Sequence, residues 1–255
     1  MYLILTHDVD WPIHGPGKEH ILARKDRFSS EIIRRVLEED FNPYYGIPDI
    51  MDFEERIGVR STFFFRPWFD DGSSIDCYVD VVRDLVRGGW EIGLHINDIG
   101  NVVNEKNFVE GVLGIKVYGC RVHYLRMREE YYSIFKLIGL KYDSSLVFSK
   151  DSLDIRNTGY LRISGVIVFP VTFMDAYLFT YMKLREDQVI PFIDRALNMF
   201  NSLGVKFVTL LWHDNSIRMV GGRIYFKLLD YLASKDYIEI VRGIDAYKKT
   251  LESEI

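Results

Sequence analysis

The residues best suited to chemistry follow a short apolar run at the start of the chain, Leu3-Ile4-Leu5-Thr6-His7-Asp8-Val9-Asp10. An apolar run that ends in polar positions predicts a buried strand, and parallel α/β proteins gather ligands and catalytic groups at the carboxyl ends of such strands. Asp8 and Asp10 are two residues apart, so their side chains point the same way on a strand. Two crowded carboxylates repel unless a cation or a shared proton relieves them. The pair therefore indicates a metal site or an acid/base site, and the alternative is a turn in which both carboxylates cap backbone amides.

Four of the six histidines occupy equivalent positions, each at the predicted carboxyl end of a different strand: His7, His95, His123 and His213. Strand ends of a parallel barrel converge on one mouth, so the last three could share a pocket with the aspartate pair. A single histidine is more often structural than functional, but four at equivalent positions favour a common site. Carboxylate and imidazole ligands together suit a divalent metal such as zinc that keeps one position open for water.

These residue types would serve the hydrolysis of an amide or an ester. A bound divalent metal polarises a carbonyl and lowers the pKa of a water molecule. A neighbouring carboxylate can accept the proton of that water, and a histidine on the opposite side can return a proton to the leaving amine. Arg121, near the acids, would hold a carboxylate ionised and oriented.

Predicted strands and helices alternate along the chain. After the first strand, strands are predicted at 59–65, 90–95, 116–121, 140–146, 207–212 and 237–241, with a possible strand pair at 160–163 and 166–170. Helices are predicted at 18–39, 48–57, 75–88, 104–112, 128–138, 188–201, 224–233 and 244–251. This alternation implies βα units with a parallel sheet, and about seven units favour a barrel. No linker or repeat divides the sequence, so we expect a single domain over 1–255, whose long segment 12–58 is of a kind that often covers an active site.

Composition excludes several classes of protein. The chain has 255 residues, of which 48% are hydrophobic and 27% charged, as in ordinary globular proteins. A net charge of -5 argues against a nucleic-acid surface, and no apolar run approaches the roughly 20 residues that cross a bilayer. Cys77 and Cys120 are too few for a disulfide framework or a cysteine zinc site. We therefore expect a cytoplasmic protein without nucleic-acid or membrane partners.

An ordered set of motifs resembles the polysaccharide deacetylases of the NodB-homology type, carbohydrate esterase family 4. Thr6-His7-Asp8-Val9-Asp10 is similar to the family's opening Thr-Phe-Asp-Asp-Gly, which some branches replace by Asp-x-Asp. The segment 88–95, Gly-Gly-Trp-Glu-Ile-Gly-Leu-His, is similar to Gly-His-Glu-Ile-Gly-x-His. The segment 121–126, Arg-Val-His-Tyr-Leu-Arg, resembles Arg-Pro-Pro-Tyr and is closer to the Arg-x-His-Tyr-Leu-Arg of a microbial branch that opens with Thr-His-Asp-Val-Asp. Leu211-Trp212-His213-Asp214 matches the late Leu-x-x-His motif loosely.

The resemblance implies a fold, an activity and a set of roles. The fold is a distorted parallel (β/α)7 barrel, and the activity is metal-dependent removal of N-acetyl or O-acetyl groups from a carbohydrate, either a small molecule or an oligosaccharide. By residue-for-residue match, the catalytic residues are Asp8 as base, Arg121 as the group that orients it and His213 as general acid, while Asp10 and His95 are metal ligands. His7 is left as a candidate for a supporting position behind the ligands.

One position departs from the family pattern. The family supplies its third protein ligand four residues after the first histidine, where this chain has Ile99, which cannot bind a metal. Asn97 or Asp98 could substitute, but we predict His123, because an adjacent strand end could bring its imidazole to the same mouth. Two alternative functions stay open: hydrolysis of a non-sugar or cyclic amide, with or without a metal, and a catalytically inactive barrel that binds glycan. Retention of acid, base and arginine together favours an enzyme.

Overall fold

The computed structural model describes residues 1–252, and within them ten strands form one sheet. Its strands are β1 (Tyr2–Val9), β2 (Thr62–Phe65), β3 (Glu91–Ile96), β4 (Gly119–Val122), β5 (Tyr142–Asp143), β6 (Leu161–Ile163), β7 (Val166–Val168), β8 (Phe173–Met174), β9 (Phe207–Leu211) and β10 (Glu239–Val241). Their order is β6-β7-β5-β4-β3-β2-β1-β9-β8, with β10 beside the start of β1. The β6–β7 hairpin is antiparallel and the other pairings are parallel, as the alternation of strands and helices predicted.

One extended stretch, residues 166–174, closes the sheet, and we call it the closing segment. Its first part, β7, pairs with β5, and its last part, β8, pairs with β9. Between them the Val171 amide donates to the Leu146 carbonyl at 2.9 Å, and the Thr172 amide donates to the Thr209 carbonyl at 3.1 Å. The strands β1 to β5, the closing segment and β9 thus make a ring of seven parallel positions, which confirms the distorted (β/α)7 barrel.

Alternation along β1 sends its side chains to two different places. Leu3, Leu5 and Val9 pack in the large outer core beneath the helices. Ile4 belongs to the smaller core inside the barrel, and Thr6 and Asp8, which follow it on the same face, both contact the Arg121 side chain. The acids at the strand end therefore continue the inner face of β1 to the mouth of the barrel.

The helices are α1 (Lys18–Leu22), α2 (Ser30–Glu38), α3 (Ile47–Ile57), α4 (Val79–Arg87), α5 (Val102–Leu113), α6 (Tyr132–Leu137), α7 (Glu186–Ser202), α8 (Tyr225–Ala233) and α9 (Gly243–Glu252). The single helix predicted over 18–39 is wrong, because Phe28 is extended and the Ser29 hydroxyl accepts from the Ile32 amide to begin a new helix. Within residues 1–252, no helix is both long and apolar enough to cross a membrane.

The strand predicted over 140–146 is also shorter than expected and ends at Asp143. The Asp143 carboxylate accepts from the Ser145 amide at 3.0 Å and from the Ser145 hydroxyl, so the chain leaves the strand in an Asx turn. Asp143 also accepts from the Tyr132 hydroxyl at 3.1 Å. This turn presents Ser144 to the barrel mouth.

Glu54, fully buried on α3, holds β1 and two helices together through polar contacts. Its Oε1 lies 3.0 Å from His7 Nε2 and accepts from the Tyr225 hydroxyl at 2.9 Å, while its Oε2 accepts from Trp90 Nε1 at 2.7 Å and from the Ser61 hydroxyl at 2.8 Å. Nδ1 of His7 lies 2.7 Å from the Trp212 carbonyl, which can only accept. The interpretation of His7 as a support for the metal ligands is therefore wrong, because its ring lies on the outer face of the barrel wall.

We expect Glu54→Ala to lower the free energy of unfolding by about 3–5 kcal/mol, because it leaves buried donors without their shared acceptor. Urea denaturation would measure the change. Asp52→Ala, an exposed change on the same helix, is the matched control and should stay within about 0.5 kcal/mol of the unmodified chain. Equal losses in the two variants would contradict the role given to Glu54.

Candidate metal centre and active site

Three predicted ligands meet at the mouth of the barrel: Asp10 directly after β1, His95 near the end of β3 and His123 directly after β4. The Asp10 Oδ1 atom lies 3.2 Å from His95 Nε2 and 3.4 Å from His123 Nδ1, and the two histidine nitrogens are 3.0 Å apart. Within residues 1–252, the His, Cys, Asp and Glu side chains form one group of three that is close enough to hold a metal ion, and this is that group. We call Asp10, His95 and His123 the ligand triad.

The triad fits a divalent metal. Tetrahedral zinc with ligands at about 2.0–2.1 Å separates those ligand atoms by about 3.3 Å, close to the observed spacing. The His95 Nδ1 atom lies 3.0 Å from the Arg121 carbonyl oxygen, so it carries the proton and leaves the Nε2 lone pair for a cation. Oδ1 of Asp10 is buried and has no hydrogen-bond partner within residues 1–252, as expected for an atom placed to bind an ion. Burial by itself would raise the pKa of Asp10, but the imidazoles of His123, His95 and His213 hold it well below its usual range.

The structure favours His123 over the other candidates for the third ligand. Ile99 is half-buried in a short 3₁₀ turn and packs against the outer core. The Asn97 side chain is engaged elsewhere: its oxygen accepts from Arg66 Nε at 2.8 Å and its nitrogen donates to the Trp68 carbonyl at 2.7 Å. Asp98 caps the Gly100 amide at 2.9 Å.

His123 reaches the triad through an unusual backbone. Directly after it, Tyr124 and Leu125 have φ values of 60° and 55°, in the left-handed region that side-chain-bearing residues seldom adopt. The Tyr124 ring lies against the His123 imidazole, with centroids 3.9 Å apart. Such conformations cost on the order of 1–3 kcal/mol each and persist where surrounding structure imposes them. The strained turn is thus a local feature of the site itself.

Asp8 lies beside the triad with one oxygen fixed and the other facing it. Its Oδ1 accepts from Arg121 Nη1 at 2.7 Å, while Oδ2 lies 3.7 Å from His95 Nε2. The Arg121 guanidinium is completely buried and donates to the Ser144 carbonyl at 2.7 Å, to the Ser144 hydroxyl at 2.8 Å and to the Thr6 hydroxyl at 3.1 Å. Arg121 therefore holds Asp8 in one orientation.

His213, at the end of β9, flanks the triad on another side. Its Nε2 lies 3.7 Å from Asp10 Oδ2, and its Nδ1 lies 2.7 Å from Asp175 Oδ1. Burial disfavours the charged imidazole, but the carboxylates of Asp175, Asp10 and Asp8 together more than offset burial and raise the pKa of His213 to about 10. His213 is therefore protonated at neutral pH, with Nδ1–H on Asp175 and Nε2–H available at the mouth.

Asp175 is the site residue that the sequence prediction missed. It is buried directly after β8 and also accepts from the His213 amide at 3.1 Å and from the Ser216 hydroxyl. Burial opposes its ionisation, but His213 lowers the pKa of Asp175 below its usual range. The available signal was the run Val171-Thr172-Phe173-Met174 ending in an acid, the same pattern that marked Asp8, but the predicted strand stopped at Pro170.

The fold is that of the polysaccharide deacetylases, as the motifs predicted. A protein described as a polysaccharide deacetylase from Mycobacterium smegmatis aligns over 100% of this chain and 91% of its own, with 17% identity and a TM-score of 0.68. An allantoinase aligns over 97% and 89%, with 15% identity and a TM-score of 0.67. A carbohydrate esterase family 4 pseudoenzyme from Bacillus anthracis aligns over 96% and 65%, with 11% identity and a TM-score of 0.55. No family model and no curated protein matches the chain by sequence.

We expect Asp10→Ala, His95→Ala and His123→Ala each to weaken zinc affinity by more than about a hundredfold, because each removes one of three protein ligands. Elemental analysis and competition with a chelator would measure the loss. Asp98→Asn, which keeps the cap on Gly100, is the matched control and should retain zinc. Loss of zinc in Asp98→Asn but not in His123→Ala would contradict the assignment of the third ligand.

Proposed function

We propose that this protein is a metal-dependent hydrolase that removes acetyl groups from a carbohydrate. The observation that carries the proposal is that a carboxylate held by Arg121 and an imidazole held by Asp175 flank the same ligand triad. Oδ2 of Asp8 lies beside His95, and Nε2 of His213 lies beside Asp10. A proton acceptor and a proton donor on either side of an electrophilic centre are what amide hydrolysis requires.

Two imidazoles and one carboxylate favour zinc as the metal. When bound, such an ion supplies Lewis acidity at the acetyl carbonyl. Asp8, oriented by Arg121, accepts a proton from the attacking water as the water oxygen adds to the carbonyl carbon. His213, oriented by Asp175, gives its Nε2 proton to the amine nitrogen as the carbon–nitrogen bond breaks. Acetic acid and a free amine leave, and the proton taken by Asp8 offsets the proton lost by His213.

The surroundings of the triad support a sugar as the substrate. A cavity of about 740 Å³ opens beside Asp10 and His213, large enough for a sugar with a substituent. Trp11 and Tyr44 line it, with ring centroids 5.2 Å apart, and aromatic faces pack well against the apolar faces of pyranose rings.

Hydrolysis of a cyclic or other non-sugar amide is a second candidate, because the allantoinase is nearly as similar in fold as the Mycobacterium protein. The same base, acid and metal ligands would serve that reaction. The pseudoenzyme among the similar structures keeps the inactive barrel open as a third candidate. The reason to consider an inactive barrel was that Ile99 replaces the expected third ligand. The position of His123 in the triad weakens that reason.

We expect Asp8→Asn to keep zinc but to lower the deacetylation rate by about 10²–10⁴, because an amide cannot accept the proton. Metal content and release of acetate from N-acetylated chitooligosaccharides would be measured on the same samples. Asp80→Asn, an exposed change on α4, is the control and should retain both properties. Undiminished turnover in Asp8→Asn would contradict the role of Asp8.

Substrate comparison separates the candidate functions. We expect the zinc-loaded protein to release acetate from N-acetylated sugars at least about tenfold faster than it opens cyclic amides such as allantoin, because the cavity offers aromatic walls for a pyranose ring. The reverse preference would favour the cyclic amide, and no turnover of either class by zinc-loaded protein would favour the inactive barrel.

A further inference from the structure

The cavity beside His213 is walled on its outer side by the long segment between β1 and β2. Trp11, His20, Arg24, Arg27 and Tyr44 contribute to this wall, whereas Asp10, Asp175 and His213 form the inner end. A ligand that fills the cavity therefore touches the metal site at one end and two arginines at the other.

The two arginines lack the partners that neutralise similar residues nearby. Arg34 and Arg35 on α2 form ion pairs with glutamates of the same stretch. Within residues 1–252, no carboxylate forms an ion pair with Arg24 or Arg27, although Arg24 Nη1 donates to the His20 carbonyl at 3.2 Å. Asp26 also lines the cavity and forms no ion pair with any described residue, so two positive charges and one negative charge lie at this end.

Tyr44 adds an unused polar group to the same wall. Tyr44 is only 3% exposed, and in the described part of the chain its hydroxyl has no hydrogen-bond partner. Burial raises the pKa of Tyr44 against the opposing charges of Arg27 and Arg24, so the hydroxyl keeps its proton and can donate. Burial and the same two arginines lower the pKa of His20, which stays neutral and does not add to the positive charge.

We propose that the substrate is a phosphorylated N-acetyl sugar, whose phosphate binds Arg24 and Arg27 while its acetamido group reaches the ligand triad. This inference rests on the proposed deacetylase function. Guanidinium groups match the geometry of phosphate oxygens with paired hydrogen bonds, and a neutral phenol is a suitable additional donor. The aromatic wall between the two ends packs against the sugar.

Binding measurements test this proposal independently of turnover. Zinc-loaded protein carrying Asp8→Asn would be titrated with N-acetylglucosamine, N-acetylglucosamine 1-phosphate and UDP-N-acetylglucosamine in a calorimeter. We expect both phosphorylated sugars to bind at least about tenfold more tightly than the neutral sugar, with a preference that declines as salt screens the charges. If N-acetylglucosamine 1-phosphate binds more tightly than UDP-N-acetylglucosamine, the substrate is a phosphate monoester. If UDP-N-acetylglucosamine binds more tightly, the substrate is a diphosphate.

Matched variants identify the groups responsible. The double variant Arg24→Gln/Arg27→Gln should lose the preference for phosphorylated sugars. Lys25→Gln should keep that preference, because Lys25 is exposed on the same turn and does not line the cavity. Thermal unfolding of each variant would verify that the fold is intact. The proposal would be overturned if the neutral and phosphorylated sugars bind equally or if neither binds. It would also be overturned if the double variant keeps the preference, or if Lys25→Gln loses the preference to the same extent.

Acetate release by the unmodified protein separates this inference from the proposed function. A binding preference without any deacetylation would overturn the deacetylase function and leave the phosphate site standing. Deacetylation of neutral and phosphorylated sugars with equal kcat/KM would overturn the phosphate site and leave the function standing.

Discussion

The buried ion pair between Arg121 and Asp8 is the interaction on which the rest of the site depends. A fully buried guanidinium is costly unless its donors are satisfied, and here it is satisfied by Asp8, the Thr6 hydroxyl and two oxygens of Ser144. These groups come from β1, across the barrel, and from the turn after β5, so β4 can carry Arg121 only if β1 and that turn keep their positions. The Asp143 turn, tied to Ser145 and Tyr132, holds Ser144 there, because a strand of two residues could not do so alone.

The charges of the site are separated so that each carboxylate has its own partner. Asp8 faces Arg121, Asp10 faces the imidazoles of the triad, and Asp175 faces His213. Asp214, next to His213 in sequence, is also fully buried, and burial raises its pKa to about 8 against the opposing hydrogen bond from the Gly46 amide. It is therefore largely protonated at neutral pH and does not compete with Asp175 for the imidazolium. This pairing resolves the repulsion that the close spacing of Asp8 and Asp10 implied.

Sequence predicted the parts of the site that stand at the ends of well-marked strands. Asp8, Asp10, His95 and His213 follow apolar runs, and the topology of a parallel barrel alone brings such positions together. Asp175 escaped prediction because β8 has only two residues and leaves almost no periodic signal. His7 was misplaced because its position at a strand end was given more weight than the alternation that turns it away from Asp8. The break between α1 and α2 depends on the cap at Ser29, which the charge pattern concealed.

The closing segment has a consequence for how this fold changes over evolutionary time. The ligand triad lies at the ends of β1, β3 and β4, whereas the proposed proton donor depends on Asp175, directly after the closing segment, and on His213 after β9. Changes confined to one short stretch could therefore remove proton donation while every metal ligand stays in place. Under the proposed mechanism, a few substitutions would convert the hydrolase into a metal-containing protein that only binds its former substrate, and equally few would restore the activity.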